Sequence, residues 1–244
     1  MKKTVKRNLS VVVMLLLIAY MALAFAAFSP RPAGDVCDGI VLTNHKGSSQ
    51  FDNEGDVLDL LRRFKLNPVG KPMDEISCAA IEDSLRNLSL VLSCECFKTV
   101  GTKVGLDITC RTPILHVIDN RGKNFYIDEE GVLLDRVPRP LYLPVATGYI
   151  DSKFAENDLF RLATFLRKDA FWNAQIVQIN VTADHEVELV PRVGGQIIRL
   201  GKEENLKYKF NKLMVFYKEG LSQIGWERYS ILDIRYGNQV IGIK

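Results

Sequence analysis

The chain has 244 residues, 47% of them hydrophobic and 25% charged, with a formal net charge of +3. That balance belongs to a folded globular chain and excludes a disordered stalk. Four of the 32 lysines and arginines (Lys2, Lys3, Lys6 and Arg7) precede the first long apolar run, leaving 28 against 29 acids; the remainder is near neutral and has no electrostatic footprint for nucleic acid.

The apolar run, Leu9 to Phe28, holds no charged residue, and only Ser10 and Tyr20 bring polar groups into it. A helix of that length reaches roughly 30 Å, the thickness of a bilayer's hydrocarbon core. The basic residues before it keep that end in the cytoplasm by the positive-inside rule. The expectation is a cytoplasmic tail over 1–8, a transmembrane helix over 9–28 and a linker over 29–35, with all that follows delivered to an oxidising compartment. A signal peptide is the rival, because Ala24-Phe25-Ala26 has the small-x-small form of a cleavage site. The run exceeds a usual signal h-region and passes beyond that site, which favours an uncleaved anchor. Ser29-Pro30-Arg31-Pro32 then ends the helix.

The next elements form a small α/β module. Ile40-Val41-Leu42 centres a strand over Val36 to Thr43, and Val57, Leu58, Leu61 and Phe64 set a helix over Asn53 to Phe64. Pro68, Gly70 and Pro72 break the chain. A second helix is predicted from Met73-Asp74 to Leu88, burying Ile76, Ala80, Ile81, Leu85 and Leu88. Strands Leu90 to Phe97 and Val104 to Cys110 follow, and Thr112-Pro113 marks a boundary between domains 36–112 and 113–244.

Beyond the boundary the chain is richer in strands. Ile114 to Asp119 is one, and Asn124 to Asp128 with Val132 to Leu134 makes a hairpin through Glu129-Glu130-Gly131. A helix over Asp158 to Arg167 buries Leu159, Leu162, Phe165 and Leu166. Ile176 to Val181, Val187 to Val190 and Gln196 to Leu200 read as strands, the last two hinged at Gly194-Gly195. A helix over Leu206 to Lys218 buries Phe210, Leu213, Met214 and Tyr217. The chain closes on strand-like Tyr229 to Tyr236, a turn at Gly237-Asn238, and Gln239 to Lys244.

Five cysteines (Cys37, Cys78, Cys94, Cys96, Cys110) lie in the first half. Cys94 and Cys96 share a strand face with Leu90 and Leu92, and Cys110 joins Val104, Leu106 and Ile108, so the reading is core. A zinc site from Cys78, Cys94, Cys96 and Cys110 is the alternative, against which stands the absence of C-x₂₋₄-C spacing. His45, His116 and His185 are scattered, with no H-E-x-x-H, nucleophile elbow or P-loop. Asp128, Glu129 and Glu130 read as solvated turn residues rather than an acid/base pair, and Trp172 and Trp226 as core packing rather than a sugar platform. No catalytic residue, metal or cofactor is expected, which turns attention to surfaces. Leu232, Ile234 and Tyr236 alternate with Asp233 and Arg235, and a strand of that pattern at or near a sheet edge can take a partner strand.

Four motifs in order then resemble the bacterial cell-division family FtsQ/DivIB. Arg111-Thr112-Pro113-Ile114 is similar to its arginine-x-proline-apolar domain junction. Phe125-Tyr126-Ile127-Asp128-Glu129-Glu130-Gly131-Val132-Leu133 resembles its aromatic-Ile-Asp-x-x-Gly-apolar hairpin. Leu143-Pro144-Val145-Ala146-Thr147-Gly148 resembles its leucine-proline-x-x-x-glycine segment, and Leu232-Asp233-Ile234-Arg235-Tyr236 its closing strand. The short tail and Cys37-Asp38-Gly39-Ile40, in place of a valine-rich first strand, depart from the family pattern. The resemblance implies an α+β protein: one anchor, a POTRA domain of order strand-helix-helix-strand-strand, and a C-terminal mixed β domain with flanking helices. It implies a non-enzymatic inner-membrane scaffold at the division septum, its ectodomain periplasmic. Its partners would be FtsB/FtsL-type coiled-coil proteins, met through Leu232, Ile234, Arg235, Tyr236, Asn238 and Val240. A second surface, the groove between the Cys94–Phe97 strand and the second POTRA helix, would meet other division proteins. A POTRA-bearing envelope transport or assembly factor is the alternative.

Overall fold

A computed structural model describes residues 14, 16–21, 23, 24, 35–46, 51, 53–137 and 140–244. Residues 14, 16–21, 23 and 24 are helical, with Met14, Leu16, Leu17, Ile18, Met21 and Leu23 exposed. The rest of the expected span 9–28, the tail 1–8 and most of the linker 29–35 lie outside the described residues. Among the described residues no helix is long and apolar enough to cross a membrane.

The first sheet has three strands. β1 (Gly39–Lys46), α1 (Glu54–Arg63), α2 (Cys78–Arg86), β2 (Val91–Lys98) and β3 (Lys103–Cys110) follow in chain order. The sheet runs β1-β3-β2, with β1 parallel and β2 antiparallel to the central β3. Asn53 caps α1 by accepting from the Gly55 N–H, and acids in the first turn with Arg62 and Arg63 in the last suit the helix dipole. α2 begins five residues later than the periodicity suggests, because Ser77 is its N-cap and accepts from the Ala80 N–H. Met73 and Ile76 are still buried, but from the turn before the helix. β1 is likewise displaced toward the C-terminus, and Val36 makes only an isolated bridge to Pro72.

Cys94, Cys96, Cys110, Val104, Leu106 and Ile108 are all buried in this core. Leu92 is not: the β2–β3 register slips between Val91 and Ser93, so Val91 takes the core face and Leu92 is exposed. Burial pushes the Cys94 thiol up to about 11 and raises Cys96 as well, the state of packed thiols rather than reactive thiolates.

The second sheet has nine strands: β4 (Pro113–Asp119), β5 (Asn124–Asp128), β6 (Leu133–Leu134), β7 (Val145–Gly148), β8 (Ile176–Val181), β9 (Val187–Pro191), β10 (Ile197–Gly201), β11 (Ile231–Asp233) and β12 (Ile241–Ile243). Their order is β12-β11-β10-β9-β8-β7-β4-β5-β6. β4, β7 and β8 run parallel, β10 and β11 form a second parallel pair, and the other neighbours are antiparallel. Three helices are added: α3 (residues 152–168, with a π-helical stretch at Ala155–Leu159), α4 (Ala170–Gln175) and α5 (residues 206–224, π-helical over Phe216–Leu221). Their apolar sides bury Leu159, Leu162, Leu166, Phe210, Leu213 and Tyr217 against the sheet. Trp172 sits inside this core among Phe171, Phe210 and Tyr217, while Trp226 packs on its border against Tyr217.

The two sheets meet at β6. Leu134 pairs within the large sheet yet is buried in the core of the small one, and the Asp135 N–H donates to Ser89 Oγ at 3.1 Å. At the junction Arg111 Nη1 donates to Asp128 Oδ2 at 2.9 Å and to Glu130 Oε2 at 2.7 Å. Asp128 Oδ1 also accepts from the N–H groups of Glu130 and Val132, which closes the β5–β6 turn. Glu129 and Glu130 are exposed as expected of turn residues. Asp128 is not: it is 1% exposed, because it serves turn and junction together.

Candidate functional site: the β11–β12 end of the sheet

Four strands carry a row of paired polar and charged side chains toward the β12 edge, on the face opposite the helices. Asn180 on β8 donates to Glu188 on β9 at 3.2 Å, and Glu188 lies 3.5 Å from Arg199 on β10. Arg199 stands opposite Asp233 on β11 in the parallel register. The row then turns through Arg235. Its Nε lies 3.0 and 3.1 Å from the two Asp233 oxygens, its Nη2 2.7 Å from Oδ2, and its Nη1 donates to Glu186 at 3.0 Å. The backbone N–H of residue 235 adds a bond to Asp233 Oδ1 at 3.1 Å. Burial works to raise the Asp233 carboxyl, but hydrogen bonds from the Arg235 side chain and backbone outweigh it and hold the pKa below the usual carboxylate range. The same pairing raises Arg235 further above its ordinary value.

Two other groups shape this corner. Gly201 has φ +73°, and a Cβ there would meet Arg235 Cγ at 2.8 Å, so the glycine clears the path of the guanidinium stem. Lys212 on α5 donates to the carbonyls of Ile234, Tyr236 and Gly237, pinning the loop that leads to β12. Burial, then the nearby Lys209 ammonium, lower its pKa. Tyr236 is left 50% exposed, with Arg235 over its ring at 5.6 Å.

The six residues expected to meet a partner therefore divide. Leu232 and Ile234 are fully buried and build the core beneath the site. Arg235 is spent mainly on Asp233 and Glu186. Asn238 is exposed and accepts from the Tyr208 hydroxyl, and Val240 packs partly against the core. Only Tyr236 of the expected apolar face is open. The regular alternation stops at Asp233, where the Asp233–Arg235 chelate bends the chain, so Tyr236 leaves the face of Leu232 and Ile234. β11 is also an interior strand. The edge is β12, whose Ile241 and Ile243 are 37% and 39% exposed, and among the described residues nothing pairs with its outer side. No sequence signal separates β11 from β12 as the edge, since strand order is set by distant pairings.

Other candidate chemistry is dispersed. His116 stacks on Tyr126 and bonds Asn124, and His185 stacks on Phe154. Among the described residues no group of three His, Cys, Asp or Glu could hold a metal ion. A cleft of about 480 Å³ between α1 and residues 136–137 has no His, Cys, Ser or Thr among the described residues of its lining.

This architecture, a three-stranded α/β module leading into a β domain with a charge-braced closing corner, defines a two-sheet protein of mixed α+β class. Residues 112–242 match the family described as FtsQ/DivIB, C-terminal related, and residues 35–109 match the POTRA-like domain family. The chain belongs to the FtsQ/DivIB family, and its role is in cell division. No curated protein matches it.

Proposed function

We propose that this protein is a non-enzymatic scaffold of the division machinery that recruits FtsB/FtsL-type coiled-coil proteins and positions them to control septal wall synthesis. The observation that carries the reading is the outer side of β12, unpaired among the described residues, beside the exposed Tyr236 ring. An edge strand offers main-chain donors and acceptors for an added strand, and flanking apolar side chains set its register. The pinned 234–237 loop supports the same reading, because a preordered edge loses less entropy on binding. The uncharged apolar run 9–28 behind Lys2, Lys3, Lys6 and Arg7 supports a single-pass inner-membrane anchor. On this reading residues 1–8 are a cytoplasmic tail, 29–35 a linker, 36–112 the POTRA domain and 113–244 the β domain, both periplasmic. The anchor raises partner concentration in the plane of the septal membrane. Other division proteins would meet the POTRA domain.

The test is binding of the full chain to FtsB–FtsL-type ectodomains, with Tyr236→Ala and an Ile241→Lys/Ile243→Lys variant alongside. Edge lysines oppose strand addition without touching the core. Binding lost in the lysine variant and weakened in Tyr236→Ala, with unchanged circular dichroism, is the expected result. Equal binding by all three proteins would place the partner elsewhere.

A further inference from the structure

The small sheet also ends in an edge strand, β2, and it is not bare. In an antiparallel pair alternate residues turn both N–H and C=O away from the neighbour. On β2 these are Cys94 and Cys96, whose outward groups flank Glu95. Both are taken by α2. Glu82 Oε1 accepts from the Cys96 N–H at 2.8 Å, and Arg86 Nη2 donates to the Cys94 carbonyl at 2.7 Å. The two side chains are one turn apart and bridged to each other at 3.1 Å. In a parallel ladder, the residue opposite Glu95 would donate its N–H to the Cys94 carbonyl and accept the Cys96 N–H with its own carbonyl. Arg86 and Glu82 make those same two bonds.

We infer that the Glu82–Arg86 pair is a side-chain stand-in for a partner strand, which closes the β2 edge of the small sheet to strand addition. A strand entering at β2 must break both bonds and the ion pair, whereas one entering at β12 displaces no such pair among the described residues. The arrangement adds little stability, since both side chains are partly exposed and such pairs contribute modestly. Its effect is on specificity, because an open edge invites a second copy to pair with it. It also alters what the groove beside β2 can offer: other partners of the POTRA domain would meet side chains there, not main chain.

The experiment is hydrogen exchange at the Cys96 amide of the full chain, read across a range of protein concentrations. Wild type should exchange slowly at all concentrations. Glu82→Ala/Arg86→Ala should exchange about tenfold faster or more when dilute. It should then regain protection as concentration rises and a second copy covers β2, with a matching shift in sedimentation. Glu82→Gln keeps an acceptor for the amide and should stay close to wild type, which separates hydrogen bonding from charge. Slow exchange in the folded double variant would overturn the inference, as would fast exchange that no concentration reverses, or a wild-type chain that already pairs through β2.

Discussion

Removing the Arg235 side chain tests whether the aspartate-x-arginine spacing at the closing strand is an internal brace. Asp233 is buried and accepts from the Arg235 side chain through both oxygens, with one further bond from the residue 235 backbone. Arg235→Ala leaves the carboxylate only the backbone bond. Breaking a fully buried pair costs about 3–5 kcal/mol. The Arg235 side chain is 31% exposed, so water can partly replace it, and the expected cost falls to about 2–3 kcal/mol. Arg235→Lys retains one charged donor and should cost about 1 kcal/mol, because lysine lacks the planar fork. In a double-mutant cycle with Asp233→Asn, the coupling should be about 1.5–2.5 kcal/mol. Urea unfolding followed by tryptophan emission reads these values, Trp226 lying in the same domain. A loss under about 0.5 kcal/mol for Arg235→Ala, or additive single variants, would refute the brace.

Three further outcomes are expected. The stability difference between wild type and Asp233→Asn should be full above pH 3.8, the ordinary aspartate value, because the folded pKa is depressed, and should shrink as pH falls below it; a flat difference over pH 2.5–6 in thermal unfolding counts against the pairing. Gly148→Ala should destabilise by about 3 kcal/mol or more in urea unfolding, since φ there is +109° and the new Cβ would stand 2.1 Å from the Val181 carbonyl oxygen. Asp128→Asn keeps an acceptor for the two turn N–H groups and should cost about 1–2 kcal/mol, against about 3–5 for Asp128→Ala, which strips turn and junction together; equal costs would show that the turn bonds contribute nothing.

Where a segment's own side chains decide its structure, the sequence was a sufficient guide. β8 spans Ile176–Val181 as its apolar spacing predicts, and α1 starts at its Asn53 cap. Apolar periodicity extends α2 back through Met73 and Ile76, although Ser77 is a readable cap. α4 and β7, of six and four residues, carry too little periodicity to be read from sequence. Leu92 misled because a bulge breaks alternation without marking the sequence. At the candidate site, the Asp-x-Arg-Tyr motif's alternation does not reveal that Leu232 and Ile234 are buried while Tyr236 is exposed. Leu232 and Ile234 look identical in sequence whether a strand is interior or at an edge, and only the distant pairing with β10 decides it. Asp128 could not be told from its exposed neighbours Glu129 and Glu130, since its burial depends on Arg111, seventeen residues earlier.

The shared leucine at β6 has a mechanical consequence. Leu134 roots one flank of the nine-stranded sheet in the POTRA core, while β12 forms the opposite flank. Eight interstrand steps of about 4.8 Å put these flanks about 38 Å apart, measured along the twisted surface. Tension on β12 would run across the strands and load the ladder hydrogen bonds in series. The sheet is thus a long lever: β12 lies eight strands from the flank that Leu134 roots in the POTRA core.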